Sequence, residues 1–149
     1  MSTTPLLNLS PRQKWLVRES FESVLEYSDS VVVLFYGRLF ELAPQTRGLF
    51  TIEIRQQARK LTDMLASVVE ALDRFEQLRP ELLELGRRHV GYKVEPEHYR
   101  VLVTALMWAF GQALGAEFSR ETRAAWEELL GAVAGVMLEG AAMPGPGES

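Results

Sequence analysis

From Glu53 onward the chain repeats an apolar residue at Ile54, Ala58, Leu61, Leu65, Val68 and Leu72, in alternating steps of four and three. Those steps hold all six on one side of an α-helix and would scatter them over both faces of a strand. A helix of this length with one apolar side cannot stand alone in water. It needs other helices to cover that side, and the rest of the chain reads as their source.

Upstream, Ser10-Pro11 is a helix start: a capping hydroxyl followed by proline at the first helical position. Val17, Phe21, Val24 and Leu25 then form an inner stripe that ends near Tyr27. Ser28-Asp29-Ser30 offers a second cap. The run VVVLFYGRLFEL begins like a strand, but Val32, Phe35, Tyr36, Leu39 and Phe40 keep helical spacing, so it reads as helix as far as Pro44. Pro44 to Phe50 fits a single tight helical turn. Downstream, Asp73 to Pro80 is a connector, and Pro80 opens a short helix on which Glu84 and Arg88 form an i,i+4 pair. Gly91 and Pro96 bracket its exit. The next helix buries Tyr99, Val103, Leu106 and Phe110, with Gly115 as its C-cap. Ser119 caps a last helix with an inner stripe of Trp126, Leu129, Leu130, Val133 and Met137. On that helix Gly131 and Gly135 either let a neighbour approach closely or are weak spots. The expectation is an all-α fold of about six main helices plus one or two short turns. A short helix between two long ones does not match a simple four-helix bundle.

The chain has 149 residues, enough for one domain with a sizeable core. Residues 10–141 are expected to form that domain, with a flexible N-terminal segment at 1–9 and a disordered tail at 142–149. A net charge of −4 gives no basic patch on which to build a nucleic-acid reading. There is no cysteine, which rules out disulfides, thiolate-held metals, iron–sulfur clusters and cysteine nucleophiles. Val101 to Ala116 is uncharged but shorter than the ~20 residues of a membrane span. It reads as a central, nearly all-buried helix. MSTTPLLNLS lacks the pattern of a signal peptide, so the expected location is cytoplasmic, with no membrane contact.

Chemistry concentrates in Glu84 to Tyr99, which holds both histidines, His89 and His98. Leu82, Leu85, Gly86 and His89 fall at i, i+3, i+4 and i+7, so His89 shares an apolar helix face. An imidazole on such a face is either a satisfied core histidine or a ligand. His98, flanked by Glu95 and Glu97, reads as a capping or linking residue at a helix start, with acid–base chemistry the alternative. Gln57 sits four residues before Leu61, at the edge of the long apolar stripe, where it either reaches solvent or faces a site. No phosphate loop, dinucleotide fingerprint or nucleophile elbow is present.

Five pieces of the chain, in order and at matching separations, resemble the globin family, in particular the single-domain bacterial haemoglobins and the globin domain of flavohaemoglobins. They are LFYGRLFELAP (Leu34 to Pro44), Leu49-Phe50, QQARKL (Gln56 to Leu61), LGRRH (Leu85 to His89) and HYRVL from His98. His89 follows Gln57 by 32 positions, and Phe50 follows Tyr36 by fourteen. The resemblance runs from about Ser10 to Gly140.

The resemblance implies a globin fold around haem b, with His89 as the proximal iron ligand. Phe50 looks like the aromatic that packs on the haem plane. Tyr36 and Gln57 look like the distal pair facing a bound ligand, with Leu61 the apolar residue beside them. Tyr99 resembles the tyrosine that approaches the proximal histidine, and Val103 lies one turn beyond it on the haem-lining side. Lys60, Arg87 and Arg88 are the basic residues within reach of a haem propionate. The implied activity is reversible binding of O2, NO or CO. The alternative is nitric oxide dioxygenation to nitrate with an external reductase. The expected assembly is a monomer or weak homodimer. One departure stands out: the family's glutamate near the end of the last helix falls here at Ala141, and Glu139 lies two residues earlier, about 200° round the helix.

Overall fold

The computed structural model describes residues 7–49, 54–91 and 96–142, with side chains at all of these except 49, 54 and 89–91. Six α-helices follow in order: α1 (Pro11–Glu26), α2 (Ser28–Leu42), α3 (Ile54–Glu70), α4 (Arg79–Gly91), α5 (Pro96–Leu114) and α6 (Arg120–Ala141). Short 3-10 helices occupy Pro44–Leu49, Leu72–Leu78 and Gly115–Glu117. No strand occurs among the described residues. The expected all-α class and helix order therefore hold. Phe50 and the tail from Met143 lie outside the described residues.

The helix ends follow local chemistry. Ser10 accepts from the Gln13 amide at 3.1 Å while Gln13 returns a bond to the Ser10 amide at 2.9 Å, a complete capping box ahead of Pro11. Ser119 accepts from the Thr122 amide at 3.1 Å at the start of α6. Gly115 ends α5 with φ at +58°, a conformation that would strain a residue bearing a Cβ. Ser28–Ser30 behaves differently from expectation. α2 already begins at Ser28, its cap is Tyr27, and no side chain caps it. α1 and α2 are separated by that one residue, so the serines sit inside the first turn rather than ahead of it.

Packing is uneven. Among the described residues α4 lies most extensively on α6, α2 on α5, and α1 on α6. α3 touches α1 and the following 3-10 helix but does not pack closely on α4. The core joins Val17, Phe21 and Val24 of α1 to Phe35 and Leu39 of α2, Phe110 of α5 and the α6 stripe from Trp126 to Met137. Trp126 is its centre, wholly buried, with its ring edge-on to Phe110 at 5.1 Å and tilted against Phe21 at 6.1 Å. Its indole N–H donates to Ser20 Oγ at 2.8 Å, and that hydroxyl donates to the Leu16 carbonyl at 2.7 Å. A serine on the inner side of α1 thus satisfies the one polar atom that Trp126 brings into the core.

Several faces differ from the periodic reading. Leu25 is 45% exposed: in the last turn of α1 it is Val24 that faces the core, and Leu25 lies outside the covered face. On α2 the innermost valine is Val31, with Val32 half-buried. α5 is buried on one face only: Leu106 and Phe110 are covered, while Tyr99 and Val103 are half-buried and Gln112 is exposed. Gly131 and Gly135 have open space where a Cβ would lie, so they are not sites of close approach. That role falls to Gly86 and Gly140. A Cβ on Gly86 would overlap the Met137 backbone carbonyl, and one on Gly140 would overlap that of Leu83. The i,i+4 pairing of Glu84 with Arg88 does not form; Glu84 pairs with Arg87, at 2.7 Å.

Replacing Ser20 by alanine leaves the Trp126 N–H buried without its acceptor. A loss of about 1–3 kcal/mol is expected for such an orphaned donor. In a domain of this size that corresponds to a fall in Tm of roughly 2–10 °C. Thermal denaturation of Ser20→Ala within a degree of wild type would show that the bond contributes nothing.

Candidate functional site

The separation of α3 from α4 leaves a groove of about 180 Å3 between them. Met64, Ser67 and Val68 of α3 form one wall. Leu78, Glu81, Leu82, Leu85 and Arg88, at and beyond the turn into α4, form the other. The walls are apolar inside, with Glu81 and Arg88 at the exposed rim. His89 follows Arg88 directly in the last turns of α4, so its backbone stands on the α4 side of this gap.

On the other side of α3 lies a small, mainly apolar cavity of about 20 Å3 enclosed by α1, α2, α3 and α5. Tyr36 and Phe35 of α2, Ala58, Leu61 and Leu65 of α3, and Leu106 and Phe110 of α5 are among its walls. Tyr36 and Leu61, 25 positions apart in the sequence, therefore meet on one cavity. Tyr36 is 6% exposed, with its ring edge-on to Phe35 at 4.9 Å and tilted to Phe40 at 6.0 Å. Burial pushes its phenol up to about 12, because the phenolate would lose its hydration there. Tyr36 is consequently a neutral hydroxyl, able to donate, throughout the ordinary pH range.

Gln57 stands in the first turns of α3, half-buried, one turn before Leu61, which is also half-buried. Tyr99 and Val103 lie one turn apart at the start of α5, and partial burial raises the Tyr99 phenol as well. Of the basic residues, Lys60 is exposed on α3, Arg88 edges the groove, and Arg87 is committed to Glu84. Glu139 is paired with Arg79, so its carboxylate ties the end of α6 to the start of α4. His98 is half-buried at the start of α5. Among the described residues no three His, Asp or Glu side chains gather as a metal cluster, and no helix is long and apolar enough to cross a membrane.

The structure thus brings Tyr36 together with Leu61, and puts Gln57 and Arg88 on helices that flank the gap. Phe50 is outside the described residues, as is the side chain of His89. Sequence reading missed Met64 as a groove residue. Its signal was present: Gln57, Leu61, Met64 and Val68 follow one another at +4, +3 and +4, a stripe running beside the one first traced along α3. Leu82 and Leu85 stood on the His89 face but were not assigned to a wall.

The residue types around the gap suit an apolar prosthetic group with anionic substituents. The gap is bounded by two helices, Met64, Val68, Leu82 and Leu85 give it apolar lining, Arg88 puts a cation at its rim, and α4 carries a histidine at position 89, a residue type that haem iron accepts as a ligand.

Known proteins place the chain. The globin family model matches residues 33–137. The chain is 29% identical to a flavohemoprotein of Xylella fastidiosa over 81% of its own length and 31% of that protein's. With an anaerobic nitrite reductase of Oryza sativa subsp. indica it shares 30% identity, over 89% of this chain and 96% of the other. It spans about a third of the length of the flavohemoproteins it matches. Among solved structures, a candidate nitric oxide dioxygenase of Rhodothermus marinus, engineered as a carbene transferase, superposes with a TM-score of 0.80 at 25% identity, covering 91% of this chain and 94% of that one. With the family model matching most of the sequence and the six-helix order in agreement, this protein belongs to the globin family.

Proposed function

We propose that the chain holds haem b between α3 and α4, with His89 as the iron ligand, and reversibly binds O2 and other diatomic molecules such as NO and CO on the side of Tyr36 and Gln57. The observation that carries this reading is the buried, neutral Tyr36 hydroxyl sharing an apolar cavity with Leu61, beside a gap whose opposite helix bears a histidine. When bound, haem would supply an iron that His89 would hold and that takes up a diatomic molecule.

The chain's own residues do the rest. The His89 imidazole, in its neutral form, offers a nitrogen lone pair to a metal. Met64, Val68 and Leu85 give the gap apolar lining, and Leu61 does the same for the cavity beside Tyr36; a hydrogen bond made against apolar walls counts for more than one in water. Tyr36 offers a hydroxyl donor and Gln57 an amide donor to a ligand that draws negative charge onto its outer atom. A hydrogen bond to a charged acceptor is worth about 1.5–3 kcal/mol. At ~1.4 kcal/mol per tenfold, that slows ligand escape roughly 10- to 100-fold. Lys60 and Arg88 sit at exposed positions suited to haem carboxylates, while Phe50, Tyr99 and Val103 complete the proposed lining.

A second reading, nitric oxide dioxygenation with electrons from an external reductase, draws on the likeness to the flavohemoprotein of X. fastidiosa and to the R. marinus protein. The same two donors serve it. Sustained nitrate production from NO with a supplied reductase and NADH would establish it. A single turnover followed by arrest leaves reversible binding as the activity.

His89→Ala is expected to remove the absorption bands of bound haem or shift them to those of a differently ligated species. Spectra unchanged in both oxidation states would overturn His89 as the ligand. Tyr36→Phe is expected to speed O2 release roughly tenfold or more. Stopped-flow rates within about twofold of wild type would remove Tyr36 as the main donor. The raised phenol gives the sign of the pH effect. The proton is kept below about 12, so the wild-type release rate should stay flat from neutral pH through 10, the ordinary value for tyrosine. A rise in rate centred on 10 would mean that the hydroxyl is not held in the buried state.

A further inference from the structure

α4 is fixed from behind. It makes its most extensive packing on α6 and packs on neither α3 nor α5 to a comparable degree. The two helices interlock through reciprocal glycines. Gly86 of α4 leaves room for the backbone carbonyl of Met137, and Gly140 of α6 leaves room for that of Leu83. Both neighbours are backbone, so no side-chain rotation can accommodate a methyl group at either position. An ion pair between Arg79, at the first turn of α4, and Glu139, beside Gly140, joins the same two helix segments. Gly86 is buried and lies one turn before His89.

We infer that Gly86, Gly140 and the Arg79–Glu139 pair are positioning residues for the proximal ligand: the end of α6 sets where α4 presents His89 to the iron. The inference rests on the reading of His89 given above. Position 89 leaves the helix about 60° round from position 86, and position 83 lies about 60° to the other side. A push applied at 86 or 83 therefore moves residue 89 mainly sideways to the direction it presents. A ligand carried sideways would bind the iron less strongly. The glycines do not touch the iron. They act by limiting how far α4 can stand from α6.

The iron–imidazole stretching band of the ferrous, ligand-free protein reads this directly by resonance Raman. Gly86→Ala and Gly140→Ala are expected to move the band to lower frequency. Glu139→Gln, at a side chain 51% exposed, should fold normally and give a smaller shift in the same direction. Gly131→Ala, on the same α6 but facing open space, should leave the band in place while stabilising the helix. Glycine variants that lose thermal stability yet keep the wild-type band would overturn the inference, since the contact would then be structural only. If neither glycine variant folds, Glu139→Gln decides, and an unshifted band there overturns it. A band that survives in His89→Ala would instead overturn the ligand reading itself, which separates the two failures.

Discussion

Keeping α3 away from α4 is the constraint on which the other helix contacts depend. Each helix in an all-α domain normally covers its apolar side with a neighbour. Here the inner sides of α3 and α4 leave a groove between them, and among the described residues these two helices pack little on each other. The remaining interfaces must hold both walls of that gap. α4 is held by α6, where two glycines bring the backbones close. α3 is held less firmly, by α1 and by the 3-10 helix Leu72–Leu78 that follows it. The asymmetry places the rigid support under the helix that bears His89 and the looser support under the helix that bears Gln57.

The rigid part centres on Trp126. It is wholly buried and brings α1, α5 and α6 together through Phe21, Phe110 and Ser20. Aromatic rings bury large area for few rotatable bonds, and edge-on packing adds about 0.5–1.5 kcal/mol per pair. The ion pairs are of a different kind. Arg12 with Glu121, Lys14 and Arg18 with Asp73, and Arg123 with Glu127 all lie at the surface. The two cations beside it hold the Asp73 carboxyl below its usual range, but with full solvent access such pairs contribute little to stability. Their use is orientation: Asp73 ties the 3-10 helix after α3 to α1, and Arg12–Glu121 aligns the starts of α1 and α6.

Much of this was legible in the sequence because it depends on local rules. Ser10-Pro11, Ser119 and Gly115 are readable as caps from residue type alone, and the α6 stripe follows from spacing. What was not legible depends on which neighbour arrives. Gly131 and Gly135 have the spacing of a close-approach pair, yet they face outward, and Gly86 and Gly140 take that role because α4 meets α6 there. Glu84 had suitable partners at both 87 and 88, and Arg87 prevailed while Arg88 was left at the groove. Leu25 continued an apolar stripe but lies outside the covered face of α1. In the candidate site, Tyr36, Gln57 and Leu61 could be named from family pattern. That Tyr36 and Leu61 share one cavity required the packing of α2 against α5.

The two faces of the gap then differ in how they can be tuned. On the α3 side the chemistry is a matter of donors: a phenol kept neutral by burial and an amide at a half-buried position. On the α4 side, Glu139 of α6 is engaged by Arg79 and so ties the end of α6 to the start of α4. An anionic partner would raise the basicity of a ligating imidazole. With that carboxylate engaged in helix placement, the geometry of α4 against α6, held by two residues that have no side chain, is on the proposed reading a means by which this chain sets the strength of the His89–iron bond.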